Sequence, residues 1–412
     1  MDPGVKEAIG KVYRKVQKQY ETGQRHHDPG NDGIVPRRDG IQHKPADTGQ
    51  REYLLCDHCP TYQHGHLQAD YGLTYEKNPL YWGTTKINGK DYKIPFVDKL
   101  SWPIIVDEAT RLAALRTGKC DINESVRVIY KKSLEDTNPD LARYRILSTS
   151  VLNIAMREDT KPFDDIRVRQ ALSMAIDRQG IINSLQLGEA ETLSFPFAAT
   201  WGPGLYTPLD QLPQDAQDLF KYDPAKAKKL MTDAGLSSGF QTEMVVSSSG
   251  TTQTDTAAMI LSNWEANLNV KVTLKPADYA TYLSIQYGKS FKGMYMMSKG
   301  NGDPGAVLLV IGPPADQYWN PSMWDDATYA ETFQKAREAP DRETAYKYLS
   351  ECNIRFIEQA PTIILPVGYY YAYAWPWVHN WYGEVNTNTR QPGLIHATIW
   401  IDRATRSKVT GQ

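Results

Sequence analysis

Four cysteines in 412 residues are too few to frame a disulfide-stapled fold. Long apolar runs are lacking as well, and no stretch approaches the ~20 residues that a membrane-spanning helix needs. Charge of one sign is not in excess either: 46 Lys and Arg stand against 48 Asp and Glu, a formal net charge of −2. A dedicated nucleic-acid surface requires a clear basic excess, so that class is excluded. No G-x-S-x-G, Walker loop, dinucleotide glycine fingerprint or zincin helix occurs, which makes an enzyme the weaker class. The opening residues, MDPGVKEAIGKVYRKVQ, do not show the basic region and apolar run of an export signal. Taken as written, the chain is expected to stay in the cytoplasm.

The excess is in aromatic side chains, with 25 Tyr and 10 Trp. Such rings bury large areas and keep a polar handle, which suits a cleft that grips ligands as well as it suits a Tyr-rich shell. A chain of this length holds ample core for more than one domain.

Helix signals are well punctuated. In PFDDIRVRQALSMAIDRQGI, Asp164 or Asp165 can cap a helix whose apolar residues Val168, Ala171, Leu172, Ala175 and Ile176 recur at helical spacing. Gly180 is expected to stop it. Residues 107–118 and DPAKAKKLMTDAG (223–235) each carry an Asp cap and a glycine stop. Further core stripes are Ala257, Ile260, Leu261, Trp264 and Leu268, and Ala345, Tyr348, Leu349, Cys352 and Phe356. Strands are expected at 99–105, 242–246, 270–274 and 362–367, the last too uniformly apolar for an edge. Alternation of strands and helices predicts an α/β architecture. Before this region, Val5, Ile9, Val12, Val16 and Tyr20 mark one N-terminal helix face. Residues 24–53 carry so few large apolar groups that a loose linker is expected.

The sharpest chemical constellation is CDHCPTYQHGH, with Cys56, Cys59, His64 and His66. Cys-x2-Cys is zinc-like, but the His-x-His spacing is too short for the usual finger. Cys120 and Cys352 read as small buried hydrophobes, since no histidine lies near either in sequence. SSSGTTQT (247–254) lacks the Gly-Lys-Ser/Thr ending of a phosphate cradle and reads as a strand-to-helix loop with a Thr or Asp cap. Paired acids at 164–165 and 325–326 read as helix caps.

In order along the chain, LTYEKNPLYWG, FVDKLSWPIIVDEATRLAALRTGKCDI, PFDDIRVRQALSMAIDRQGI, YDPAKAKKLMTDAG, GDPGAVLL, YWNPSMWDD and EQAPTIILPVG resemble segments of the family 5 extracellular solute-binding proteins, the oligopeptide/dipeptide-binding class of ABC importers. The resemblance covers roughly residues 70–405. It implies a bilobal, class II periplasmic-binding-protein-like α/β fold with an incomplete N-terminal lobe, a member that is N-terminally truncated or rearranged. Residues 1–68 would be a non-family helix and linker, 69–152 and 369–412 one partial lobe, and 153–368 the large lobe. The crossings near 152–156 and 367–374 would be the hinge.

The implied function is capture of a peptide or similar small solute between the lobes. No bond chemistry and no cofactor are implied; the partner is an importer permease, nucleic acid is not, and the chain is a monomer. The family location is periplasmic or cell-surface. Candidate ligand contacts are Trp201, Asn301, Asp303, Trp319, Tyr371, Tyr373 and Trp375. Peptide-binding members carry an aspartate shortly before the Asp-Pro pair; here that position falls at Gly300, while Asp303 matches the later acid. A neutral sugar-like solute stacking on aromatics therefore stays open beside peptide. The alternatives are a metal-binding or zinc-dependent hydrolytic protein using the Cys56/Cys59/His64/His66 segment, and a truncated fragment without binding.

Overall fold

The computed structural model describes residues 62–68, 72–105, 107–202, 204–249, 252–300, 304–317, 319–384 and 394–411. The helix and linker expected over residues 1–61, with Cys56 and Cys59, lie outside the described residues. The first described element is a strand, β1 (Tyr62–Gln68), inside the stretch expected to be linker. It pairs antiparallel with β2 (Gly72–Lys77), while β3 (Thr84–Ile87) and β4 (Lys90–Lys93) form a separate hairpin. The third strand of the first sheet is β5 (Lys99–Pro103). Helix α1 (Glu108–Arg116) starts where Asp107 accepts a bond from the Thr110 N–H at 2.8 Å and buries Leu112 and Leu115.

β6 (Ile122–Arg127), α2 (Lys131–Thr137) and β7 (Ala142–Leu147) follow. The chain then enters a second body through β8 (Ser150–Met156), whose buried Val151, Ile154, Ala155 and Met156 face apolar layers on both sides. The helix expected over 164–180 is two helices, α3 (Ile166–Met174) and α4 (Arg178–Gln186). Asp165 caps the first. Asp177 caps the second by accepting from the Gly180 N–H at 2.8 Å. Gly180 is therefore not a stop. It lies in the first turn of α4, where a Cβ would come within 2.5 Å of the Asp177 carboxylate. The glycine makes room for the cap.

Short β9 (Ala190–Glu191) precedes α5 (Pro224–Asp233), which has the expected Asp223 cap. An alternating series follows: β10 (Gln241–Ser247), α6 (Thr252–Leu268), β11 (Lys271–Ala277), α7 (Tyr279–Gly288) and β12 (Met294–Gly300). Helices α8 (Ala327–Arg337) and α9 (Arg342–Gln359) complete this body with β13 (Thr362–Ile364). Its sheet runs β11-β10-β12-β8-β13, with parallel pairing among the first three strands and antiparallel pairing to β8 and β13. The main core fills one face, where Trp264 is fully buried and donates its indole N–H to the Leu172 carbonyl at 2.8 Å. Tyr282, Phe291, Tyr295 and Met297 form a smaller layer on the other face.

The apolar run 362–367 is one stretch in sequence but two strands in space. It breaks at Leu365–Pro366, and β14 (Val367–Ala374) leaves for the other sheet, where it runs between β6 and β7. Proline has no N–H to donate to a ladder, so the break falls where pairing must change hands. That second sheet has its own core of Leu112, Leu115, Val126, Leu134, Trp375 and Trp377, among others. β15 (Val378–His379) and β16 (Trp400–Ile401) close the described chain with a final short helix. Among the described residues no helix is long and apolar enough to cross a membrane. Cys352 is buried, and burial pushes its thiol up to about 12, which leaves it inert at neutral pH.

Candidate ligand cleft

The two sheets exchange chain at two places, Leu147–Ser150 and Ile364–Val367, and these crossings lie side by side. The Ser148 N–H donates to the Gly368 carbonyl at 3.2 Å, and the Leu365 N–H donates to the Leu152 carbonyl at 3.1 Å. Beside them opens a cleft of about 100 Å³. Its floor is the crossing backbone itself, with Ser148, Ser150, Pro366 and Gly368. One wall comes from the end of β6 and from β14, through Arg127, Tyr369 and Tyr370. The opposite wall comes from α4 and the first turn of α6, through Ile181, Leu185, Gln186, Thr252, Asp255 and Thr256. Apolar side chains, hydroxyls and a few charges converge here from five separate stretches of chain, the usual make-up of a small-molecule site.

Charge around the cleft is ordered by ion pairs. Arg127 is held by Glu108 through Nε at 2.9 Å and Nη2 at 2.5 Å. Arg145 lies with its guanidinium carbon 3.3 Å from the Tyr369 ring centroid and donates to Glu189 at 3.0 Å. Lys131 donates to the other Glu189 oxygen at 3.0 Å and to the Tyr371 hydroxyl at 3.1 Å, and the Tyr371 hydroxyl also meets Glu189. Burial alone would raise the Glu189 carboxyl, but hydrogen bonds from Tyr371, Lys131 and Arg145 outweigh it and hold the group at about 2.

Glu189 follows α4, while its three partners stand on α2, β7 and β14, so this carboxylate ties one body to the other. The Tyr369 N–H adds a backbone bond to the Glu189 carbonyl. A depressed carboxylate contributes stability above its unfolded value near 4.5, lost as pH falls toward 2. Glu189→Gln is therefore expected to speed amide exchange at 187–191 near neutral pH and to abolish any further loosening of that segment between pH 4.5 and 2. Unchanged exchange in the variant would show that the tie carries nothing.

The expected ligand contacts fall in different places. Tyr371, Tyr373 and Trp375 are 1%, 1% and 5% exposed and belong to the core of the second sheet. Trp375 donates to the Leu115 carbonyl at 2.8 Å and stacks on Trp377 with ring centroids 4.7 Å apart. None of the three lines this cleft: Trp375 packs against α1, and Tyr371 and Tyr373 lie in the core of the strand ladder. The tyrosines on the cleft are Tyr369 and Tyr370, nearer the crossing on the same strand.

Trp201 is half-buried against the main core. Trp319 lies with Lys299 and with Tyr287 of α7, at 4.5 Å and 5.1 Å from its ring, and is not among the residues lining the cleft. Asn301 and Asp303 lie outside the described residues. Among the described residues no group of three or more His, Cys, Asp or Glu could hold a metal. Gln186, Asp255 and Gly368 were passed over at the sequence level. Gly368 was a detectable signal, as a glycine within an apolar strand where another element approaches closely: a Cβ there would lie 3.2 Å from the Gln186 side chain.

The sequence model described as bacterial extracellular solute-binding proteins, family 5 Middle, matches residues 62–335. The chain belongs to this family. Among curated relatives, this family member is 26% identical over 303 residues to heme-binding protein A of Haemophilus influenzae, covering 72% of this chain and 52% of the relative. It is 27% identical over 338 residues to di/tripeptide-binding protein 3 of Pseudomonas aeruginosa, covering 80% and 57%. The chain thus spans about half the length of the curated relatives it matches.

Solved structures show the same bilobal fold. The periplasmic binding protein DppA of Helicobacter pylori, in complex with the peptide STSA, matches with a TM-score of 0.68 at 20% identity, covering 83% of this chain and 63% of that one. AgaA of A. tumefaciens R10, in complex with agropinic acid, matches with a TM-score of 0.69 at 21% identity, covering 83% and 67%. Membership corrects the expectation of a cytoplasmic chain. The family is one of extracellular proteins, which indicates an extracytoplasmic location. The opening residues of a chain that spans half its relatives are no guide to a leader.

Proposed function

We propose that this chain is the solute-capturing component of an ABC importer, holding a peptide or similar small solute between two lobes. The sheet of β6, β7 and β14 would belong to one lobe and the sheet of β8 and β10–β13 to the other, with the paired crossings at 147–150 and 364–367 as the hinge. The observation that carries the reading is the cleft at those crossings: rotation about two adjacent strands opens or closes a site whose walls belong to different bodies. At about 100 Å³ the cleft is below the 300–1,000 Å³ of drug-sized pockets, so it suits a closed arrangement that grips one small group of the solute. The relatives' peptide and heme names and the neighbours' peptide and agropinic acid complexes support a small organic solute. The chain would act as a monomer that hands the solute to a permease.

The test is the melting temperature of the full chain with and without a mixture of di- and tripeptides. Binding at a hundredfold excess over Kd stabilises the native state by about 2.7 kcal/mol, a readily measured rise. No rise with peptides or with any solute class found bound to the purified protein would count against the reading.

A further inference from the structure

Resting on the paired crossings as the hinge, we infer that Arg178 is a positioning residue for lobe closure. It locks α4, one wall of the cleft, to the crossing at 364–367, so that wall and pivot move as one piece. Arg178 opens α4 and is only 3% exposed. Its Nε and Nη2 donate at 3.3 and 3.1 Å to the carbonyl of Ile364, the last residue of β13 before the chain crosses. Near the end of α3, Nη1 and Nη2 donate to the Ser173 carbonyl and hydroxyl at 2.9 and 2.8 Å. That hydroxyl donates onward to the Leu219 carbonyl at 2.8 Å, and the guanidinium carbon lies 5.2 Å from the Phe220 ring centroid. At its other end α4 meets the same crossing again, where the Gln186 amide points to the Pro366 carbonyl at 3.5 Å. The helix that carries Ile181, Leu185 and Gln186 into the cleft therefore lies along the crossing and is fastened to it at both ends.

The charge is what calls for a role. No carboxylate lies within ion-pair distance of Arg178 among the described residues. Burial pulls the guanidinium down to about 9, so it stays cationic at neutral pH with neutral partners only. A buried charge without a counter-ion is costly, and an apolar side chain of similar volume would fill the space without that cost. What an apolar side chain lacks is direction: the planar fork fixes two carbonyls and a hydroxyl relative to one another. Arg169 gives the contrast. It is equally buried, but it has Glu158 as counter-ion and serves the Gln359 and Ala360 carbonyls, ahead of β13. One arginine holds the start of that strand and the other its end, and of the two only Arg178 reaches the crossing.

Amide hydrogen exchange of the full chain, without solute, tests this in wild type, Arg178→Met and Arg169→Met. The other crossing, 147–150, holds none of the hydrogen-bond partners of Arg178. Its Ser148 N–H is bonded to the Gly368 carbonyl and reports whether the paired crossings stay together. Arg178→Met is expected to speed exchange of the Ser148 and Leu365 amides about tenfold or more relative to those of β10, an inner strand of the β13 sheet. Arg169→Met should leave that ratio within about twofold. Arg178→Lys keeps the charge but loses the fork, and should fall between. If Arg178→Met does not fold, Arg178→Lys decides: a rise of about threefold or more supports the assignment, and no rise overturns it. A rise confined to 173–182 and 219–220, a rise matched by β10, or an equal rise in Arg169→Met also overturns it, since each marks a packing role alone. Exchange is read without solute, so these outcomes leave the solute-binding reading intact, and that reading fails separately, in the melting test.

Discussion

Arg169→Met is expected to destabilise the protein by about 3–5 kcal/mol, read as a drop in the urea midpoint. The guanidinium is 3% exposed and reaches from α3 to the Phe163, Gln359 and Ala360 carbonyls at 2.8, 2.8 and 3.2 Å. It also faces Glu158 at 3.2 Å. Methionine fills the space but donates nothing, so three carbonyls and the Glu158 carboxyl lose their partner. Burial pushes Glu158 up to about 8, with Arg169 pulling it down and Asp326 adding to the rise.

The pH dependence follows from that direction. A raised carboxyl binds its proton more tightly in the folded state, so its contribution is complete below about 4.5 and is lost as pH rises through about 8. Wild-type stability should therefore decline across that window, and Glu158→Gln should flatten the decline. Without the guanidinium the carboxyl rises further, so the Arg169→Met penalty should be larger at pH 8 than at pH 5. An equal penalty at both would show that Glu158 is not the stranded partner.

Trp375→Ala should also cost about 3–5 kcal/mol, the range for emptying an aromatic site in a close-packed core. The indole is 5% exposed, its stack on Trp377 would be lost, and the Leu115 carbonyl would lose its donor. Tyr369→Ala, on the same strand but at the cleft, should shift the urea midpoint far less and yet weaken solute binding at least tenfold. The pair separates core from cleft within one strand. Comparable stability losses at both positions, or intact binding in Tyr369→Ala, would contradict the division.

How much of this was legible in the sequence follows from how local each signal is. Asp107, Asp165, Asp223 and Asp326 all cap helices as their spacing predicts, because a cap needs only the next turn of the chain. Asp177 was missed, since Gly180 three residues later looked like a stop when it is the capped group. The strand over 242–246 was found from its run of buried apolar residues, and the edge strand over 270–274 from the alternation of Val272 and Leu274 with exposed Lys271 and Thr273. In 369–375, however, nothing local separates the cleft tyrosines from the core ones. Pairing to both β6 and β7 decides it, and the β6 register shifts between Tyr371 and Tyr373. Nor could the cleft be assembled by reading along the chain, since its walls come from distant stretches.

The most direct test of a solute held at the paired crossings is native mass spectrometry of the purified full chain beside Gly368→Leu. Leucine at 368 projects into the cleft against Gln186 and takes the space a solute would use. Wild type is predicted to carry one small solute per chain, and Gly368→Leu to carry none while keeping a cooperative melting transition. Equal occupancy in the two proteins would contradict the account.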